Sequence, residues 1–338
     1  MTQGINFYIN TPIRIVVLII LLTLIICILI FLYHRFNHFT RKVRFPIHSL
    51  GSDGGLGPKD WEKHMVELAA EHKQVSLFSY SFVLDDYNQI AYKKLNKIRD
   101  NISEISADII ALIPAARWLF DNFQMMYREI KKVRSSGNSY EILPILKAKE
   151  YRGFPRVYIV AKRMVALSGG HLSEENISVM LKAYQKEIPL TDKELWVLPE
   201  MLGFCLLESI IEVAEEIIQM VDIKANAESF IRSKLKPSNG TTDITALLTE
   251  LEPEVRNNYS FHAHVVYLLK NMSFDEGTIQ RYMEYHFDTK SKMFKSSQLF
   301  LEEGKIESIL ETKIRAFIVS LRDINEFDEE RFKSQYSC

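Results

Sequence analysis

The chain has 338 residues, 47% of them apolar, and carries 42 basic against 43 acidic side chains for a net charge of −1. That length and apolar content suffice for one or two domains with substantial cores, while the balanced charge excludes the basic excess expected of a nucleic-acid binder. Gly (13) and Pro (10) are sparse and clustered, which favours an all-α body over a sheet with many tight turns. Cys27, Cys205 and Cys338 are too far apart for a disulfide framework or a metal-ligand pattern, and they fit a reducing compartment.

Residues 15–32 hold no charge. As a helix they span about 27 Å, close to the hydrocarbon thickness of a bilayer. The run is too long for a signal-peptide core, and bulky basic residues follow it rather than a small-residue cleavage site. Residues 1–34 are therefore predicted to be a short external tail and a transmembrane helix in contact with membrane lipid. Arg35, Arg41, Lys42 and Arg44 lie just after the span, so the positive-inside rule places a single-pass protein in the inner or plasma membrane. Its amino terminus is expected outside and its body in the cytoplasm. Residues 35–57 form a basic juxtamembrane segment and a Gly-rich linker. The linker's Gly51-Ser52-Asp53-Gly54-Gly55-Leu56-Gly57 lacks the Gly-Lys-Ser/Thr ending of a phosphate loop.

The rest reads as a multi-helix bundle in two parts, a main helical domain over 58–236 and a second segment over 241–338, separated by Lys236-Pro237-Ser238-Asn239-Gly240. Pro58 opens a helix with an apolar stripe at Trp61, Met65, Leu68 and Ala69. Asp85-Asp86 stands alone, with no Asp-x-Asp triplet anywhere, and reads as a solvated helix face. Pro114 is predicted to open one long helix with a continuous buried stripe through Leu119, Phe123, Met126, Ile130 and Val133. Arg117 and Asp121 are spaced to pair on its surface. Around Gly153-Phe154-Pro155-Arg156-Val157-Tyr158, Gly permits a close approach and Pro presets a helix start. Arg156 and Tyr158 there either clamp a neighbouring loop's carbonyls or contact phosphate or sugar hydroxyls. Ser168-Gly169-Gly170 closes that helix, and Ser173 starts the next.

Thr191-x-x-Glu194 has the form of a capping box, and the apolar run 195–207 follows it, interrupted by charge only at Glu200. Pro199, Glu200 and the acidic residues that follow make this an enclosed core helix rather than a second span. His262 and His264, two apart on a helix, point in nearly opposite directions and cannot grip one ion. Tyr282, Tyr285, His286 and Phe287 read as core, with a sugar-stacking platform as the alternative. Residues 327–338 begin a fresh amphipathic pattern that stops without a cap, so the chain reads as a fragment.

Six motifs stand in the order and spacing of the amino-terminal region of cyclic beta-1,2-glucan synthases, which this chain resembles most strongly over 115–216. They are Asp121-Asn122-Phe123, Leu143-Pro144-x-Leu146, Gly153-Phe154-Pro155-Arg156-Val157-Tyr158, Ala183-Tyr184-Gln185, Pro189-Leu190-Thr191 and Glu194-Leu195-Trp196. Leu68-Ala69-Ala70-Glu71-His72 and residues 314–336 are similar to that region as well. Lys193 and Gly203 depart from the small residue and the Arg of the pattern. The resemblance implies a helical region preceding a glucosyltransferase module and a glycoside-phosphorylase module, neither of which is in this sequence.

For the whole enzyme the resemblance implies a UDP-glucose donor, a divalent metal and a glucan product. Within this chain we expect no catalytic residue, cofactor or metal ligand. Its expected role is to position or dock the downstream glucosyltransferase module, with glucan as a further partner and no nucleic acid. The alternative is a free-standing, membrane-tethered helical adaptor that binds another protein.

Overall fold

The computed structural model describes residues 57–73, 75–76, 82–104, 107–135, 143–146, 151, 154–235, 244–249, 251, 253–256, 258–287, 296–327 and 329–336, together with Ile26. Among the described residues the chain is almost wholly helical, in line with the all-α expectation. The segment 15–32 lies outside them except for Ile26, which is helical and exposed. Among the described residues no helix is long and apolar enough to cross a membrane.

In chain order the helices are α1 (Pro58–Glu71), α2 (Phe82–Ser103), α3 (Ala107–Leu112), α4 (Pro114–Asp121), α5 (Phe123–Ser135), α6 (Arg156–Leu167) and α7 (Glu174–Gln185). They continue with α8 (Asp192–Lys234), α9 (Pro253–Arg256), α10 (Tyr259–Asn271), α11 (Glu276–His286), α12 (Ser296–Asn325) and α13 (Glu329–Tyr336). A two-residue antiparallel ladder, β1 (Val75–Ser76) with β2 (Ile145–Leu146), joins two loops and was not foreseen.

The organising element is α8. Thr191 accepts from the Glu194 amide while the Glu194 carboxylate accepts from the Thr191 amide, so this helix starts where the capping box predicts. It then runs 43 residues, about 64 Å at the helical rise. Apolar side chains occupy nearly every face of its first half, because α2, α4, α5, α6, α12 and α13 all pack on it. Trp196 is the departure from that enclosure, at 44% exposed.

The apolar interior falls into two clusters. The larger draws on α1 to α8 and on the end of α12, from Leu310 to Ile324, with Tyr336 of α13. The smaller gathers Ala227 and Ile231 of α8 and its C-cap Leu235 with Phe261, Val266, Tyr282, Met283 and Leu299 of α10, α11 and α12. Both long helices thus cross from one cluster to the other.

The helix expected to run unbroken from Pro114 is two helices. It breaks at Asn122, whose Nδ2 donates to the Trp118 carbonyl at 2.9 Å, taking the place of the helical ladder. The buried stripe survives the break through Leu119, Phe123, Met126 and Ile130. The short α9 precedes α10, whose N-cap Asn258 accepts from the Phe261 amide at 3.1 Å. Gly170, at φ +85°, closes the turn after α6, and a Cβ there would lie 2.2 Å from the Phe317 ring of α12. Ser320 fastens the same turn, donating to the Gly170 carbonyl at 2.6 Å and accepting from the Leu172 amide at 2.9 Å.

Candidate functional site

Residues from five of the six motifs meet at the amino-terminal ends of α6 and α8. Pro155 is the N-cap of α6 and bridges to Ile145, and the Arg156 amide donates to the Pro144 carbonyl at 2.8 Å. The Arg156 side chain is thereby aimed inward. Its Nε donates to Glu194 Oε1 at 2.8 Å, its Nη2 pairs with Glu194 Oε2, and Nη2 also donates to the Pro189 carbonyl at 3.1 Å. Both partners are buried, Glu194 completely.

Burial alone would lower the Arg156 pKa, but the Glu194 carboxylate overcomes it and raises the guanidinium above its ordinary value. Glu194 serves a second purpose. The same carboxylate closes the α8 capping box on Thr191, so one buried pair fixes the start of α6, the 189–191 loop and the start of α8 together.

Around this clamp the other motif residues also make protein contacts. The Tyr184 hydroxyl shares a 2.8 Å hydrogen bond with Nδ1 of the buried His72, and Tyr151 meets the same imidazole edge-on. Burial, with the nearby Arg156 charge, holds His72 down to about 3, so it is neutral. Burial also pushes the Tyr184 phenol up. Gln185 accepts from the Leu190 amide at 3.2 Å and donates to the Tyr336 carbonyl at 3.4 Å, tying the 314–336 tail to this joint.

On the next turn of α6, the Tyr158 hydroxyl donates to Glu208 Oε2 at 2.9 Å, and Lys162 reaches the same oxygen at 2.7 Å. Burial works against the Lys162 charge, but Glu208 raises its pKa nonetheless. Cys205 beside them is buried, and that burial pushes its thiol well up, so it is not poised as a nucleophile.

Asn122 lies apart from this joint. Its Oδ1 accepts from Arg322 of α12 at 3.1 Å, and Arg315 sits 5.1 Å over the Trp118 ring, so α12 is pinned to the α4–α5 break. Asp121 is exposed and pairs loosely with Arg117 at 3.9 Å. Gly153 lies outside the described residues, as do the side chains of Asp85 and Asp86. Gly203, where the pattern has Arg, faces Glu129, whose Oε1 would lie 2.6 Å from a Cβ at that position. Glu129 is buried, and burial raises its carboxyl pKa.

His262 and His264 do part company, as their spacing requires. His262 contacts Tyr282 and the Arg256 carbonyl, whereas His264 faces Glu228 at 3.6 Å. Among the described residues no group of three or more His, Cys, Asp and Glu side chains is arranged to hold a metal ion. An open groove of about 300 Å³ is lined by Glu228, Ile231, Arg232, Leu235, Leu268 and Met272, none of them a motif residue.

Several members of the joint escaped the sequence. His72 was legible only as part of the Leu68–His72 resemblance. Lys162 and Glu208 carry no motif, and away from the joint the partners of Ser320 and Arg322 lie 148 to 200 residues off, so that only the general resemblance of 314–336 covers them.

No family model matches the chain. It is 27% identical over 242 residues to the cyclic beta-(1,2)-glucan synthase NdvB of Rhizobium meliloti (strain 1021), an alignment that takes in 68% of this chain and 8% of that protein. The chain therefore spans a small fraction of that relative's length. This identity makes the chain a distant relative of the cyclic beta-(1,2)-glucan synthase.

Proposed function

We propose that this chain is the membrane-anchored, non-catalytic amino-terminal region of an enzyme resembling cyclic beta-1,2-glucan synthase, and that it positions or docks the glucosyltransferase module. One observation carries the reading. Arg156, Tyr158, Tyr184, Gln185 and Glu194 direct their polar atoms to one another, to the side chains of His72 and Glu208, and to backbone at helix ends. A scaffold needs such groups inside; a transferase site needs them facing a cavity. The membrane anchor of this reading is the uncharged run 15–32 with the basic residues after it. The UDP-glucose donor and the divalent metal belong to the rest of the parent enzyme.

A second reading, a free-standing adaptor, is favoured by the exposed Leu301, Ile306 and Ile309 along α12. Sequencing the transcript beyond the Cys338 codon separates the two. Continuation into a transferase with Asp-x-Asp is expected, and a stop there supports the adaptor. The purified chain, given UDP-glucose and Mg²⁺, should leave the nucleotide sugar intact; robust hexose incorporation by this chain alone overturns the non-catalytic role.

A further inference from the structure

The chain as a whole carries a net charge of −1, yet residues 93–100 and 123–135 hold eight basic and two acidic side chains. The fold sets these two stretches side by side. They lie on α2 and α5, which both pack on α8, with Leu95 and Ile98 of the one and Met126 and Ile130 of the other turned into the larger cluster. Tyr127 of α5 forms the seam between them: its hydroxyl donates to Asn96 Oδ1, its ring meets Tyr92 at 6.2 Å, and the Arg99 guanidinium lies 5.7 Å over it. Away from the core, Lys93, Lys97, Arg128 and Lys131 are exposed. Lys94 is matched by Glu215 and Arg99 by Asp100, but none of these four makes an ion pair among the described residues. The two acidic residues do not offset them, because Asp100 is held by Arg99 and Glu129 is buried.

We propose that Lys93, Lys97, Arg128 and Lys131 dock this face of α2 and α5 on the anionic headgroups of a lipid bilayer, so that the helical body lies against the membrane; the bilayer as occupant rests on the anchor reading above. Lys93 and Lys97 stand one helical turn apart on α2, as do Arg128 and Lys131 on α5, so the four charges spread over two helices instead of converging on one point. A single phosphate or carboxylate is held by convergent donors. A single-stranded nucleic acid asks for free rings on which its bases stack, whereas Tyr92 and Tyr127 are engaged with each other at the seam. A plane of anionic headgroups makes neither demand. Each Lys or Arg brought near such a surface favours the bound state about fivefold, so the four act together. Salt screens that attraction.

The full chain is reconstituted into vesicles of phosphatidylcholine, alone or mixed with phosphatidylserine, and its outward-facing lysines are pulse-labelled with a membrane-impermeant amine reagent and read by mass spectrometry. At low salt Lys93, Lys97 and Lys131 are expected to label more slowly on the anionic vesicles than on the neutral ones, and high salt should erase the difference. Lys305, exposed on α12, should label alike on both. Lys97→Gln, Arg128→Gln and Lys131→Gln should each reduce the protection of Lys93 about fivefold. These side chains are exposed, so the melting temperature should not move, and Arg128→Lys should keep the protection. Equal labelling on the two kinds of vesicle overturns the inference, as does protection that survives high salt or the three substitutions together. So does protection by RNA added to neutral vesicles, with none from anionic lipid. Release of the chain by alkaline carbonate with lysine protection intact keeps the docking face and removes the anchor of the reading above. Retention of the chain without protection overturns the docking face and leaves the anchor.

Discussion

In the larger cluster Arg156 and Glu194 make a buried charged pair; in the smaller His262 and Tyr282 make a buried neutral one. Both arrangements satisfy groups that water cannot reach, but their energetics differ. A buried ion pair costs several kcal/mol in desolvation and recovers it only while both partners stand, so deletion of either leaves an uncompensated charge. His262 instead donates Nε2–H to the Arg256 carbonyl at 2.9 Å and accepts from the Tyr282 hydroxyl at 2.8 Å. Losing one such neutral bond costs about 1–3 kcal/mol. The charged joint therefore locks three chain segments in an all-or-none manner, whereas the ring cluster tolerates local change. That contrast matches their placement, with the clamp at the root of α8 and the rings beside an exposed surface.

The sharpest way to break the comparison is to truncate the clamp. Arg156→Ala or Glu194→Ala should each destabilise the fold by about 3–5 kcal/mol, measured by urea denaturation. The double substitution should cost far less than the sum, because removing both partners also removes the orphaned charge. Tyr282→Phe, which takes only a hydroxyl from the ring cluster, should cost about 1–2 kcal/mol. Equal losses for Arg156→Ala and Tyr282→Phe would erase the distinction between the two clusters.

Next in size is the turn that seats α12. Gly170→Ala places a Cβ 2.2 Å from the buried Phe317 ring and asks an L residue to hold a left-handed backbone. Strain and overpacking together predict a loss of about 2–4 kcal/mol. Gly304→Ala on the same long helix meets nothing within 4 Å and should be neutral or slightly stabilising.

How far these features were legible follows from how local their causes are. The capping box Thr191–Glu194, the Ser173 cap and the Gly169–Gly170 closure were readable because a helix end is satisfied within three or four residues. The break at Asn122 was not. Its apolar stripe keeps helical phase across the break, and only the Asn122 side chain bonding back to Trp118, steadied by Arg322 from 200 residues away, ends the helix. For Arg156 two alternatives stood open, and choosing between carbonyls and sugar required knowing that Glu194 faces it across 38 residues. Tyr285, at 53% exposed, misled for a related reason: aromatic spacing on a helix says nothing of where the neighbouring core stops. The same holds for Trp196, which lies in an apolar run yet on its outward face.

Acid is a test that the two clusters should answer alike. His72 in the larger is held to about 3 and His262 in the smaller to about 4, both chiefly by burial. The unfolded chain binds these protons near pH 6.5, so stability is fully present above that value and is lost as pH falls toward the folded pKa. Each histidine contributes a slope approaching about 1.4 kcal/mol per pH unit in that window. Glu129 and Glu303, whose carboxyls burial pushes up, act with the opposite sign. Differences against wild type isolate the histidines: His72→Phe and His262→Phe should each flatten the stability profile between pH 6.5 and 4.5. An unchanged slope in either variant would show that its imidazole is not buried neutral.

The smallest effect is expected at the motif position that lies outside both clusters. Asp121 pairs with Arg117 across 3.9 Å, and both side chains are mostly in water. Screening and side-chain entropy leave such a pair about 0.5 kcal/mol or less, so Asp121→Ala should scarcely move the urea midpoint. Its neighbour Asn122 bonds the Trp118 carbonyl and Arg322, and Asn122→Ala should cost about 1–2 kcal/mol. Adjacent motif residues would then differ severalfold in their weight on the fold.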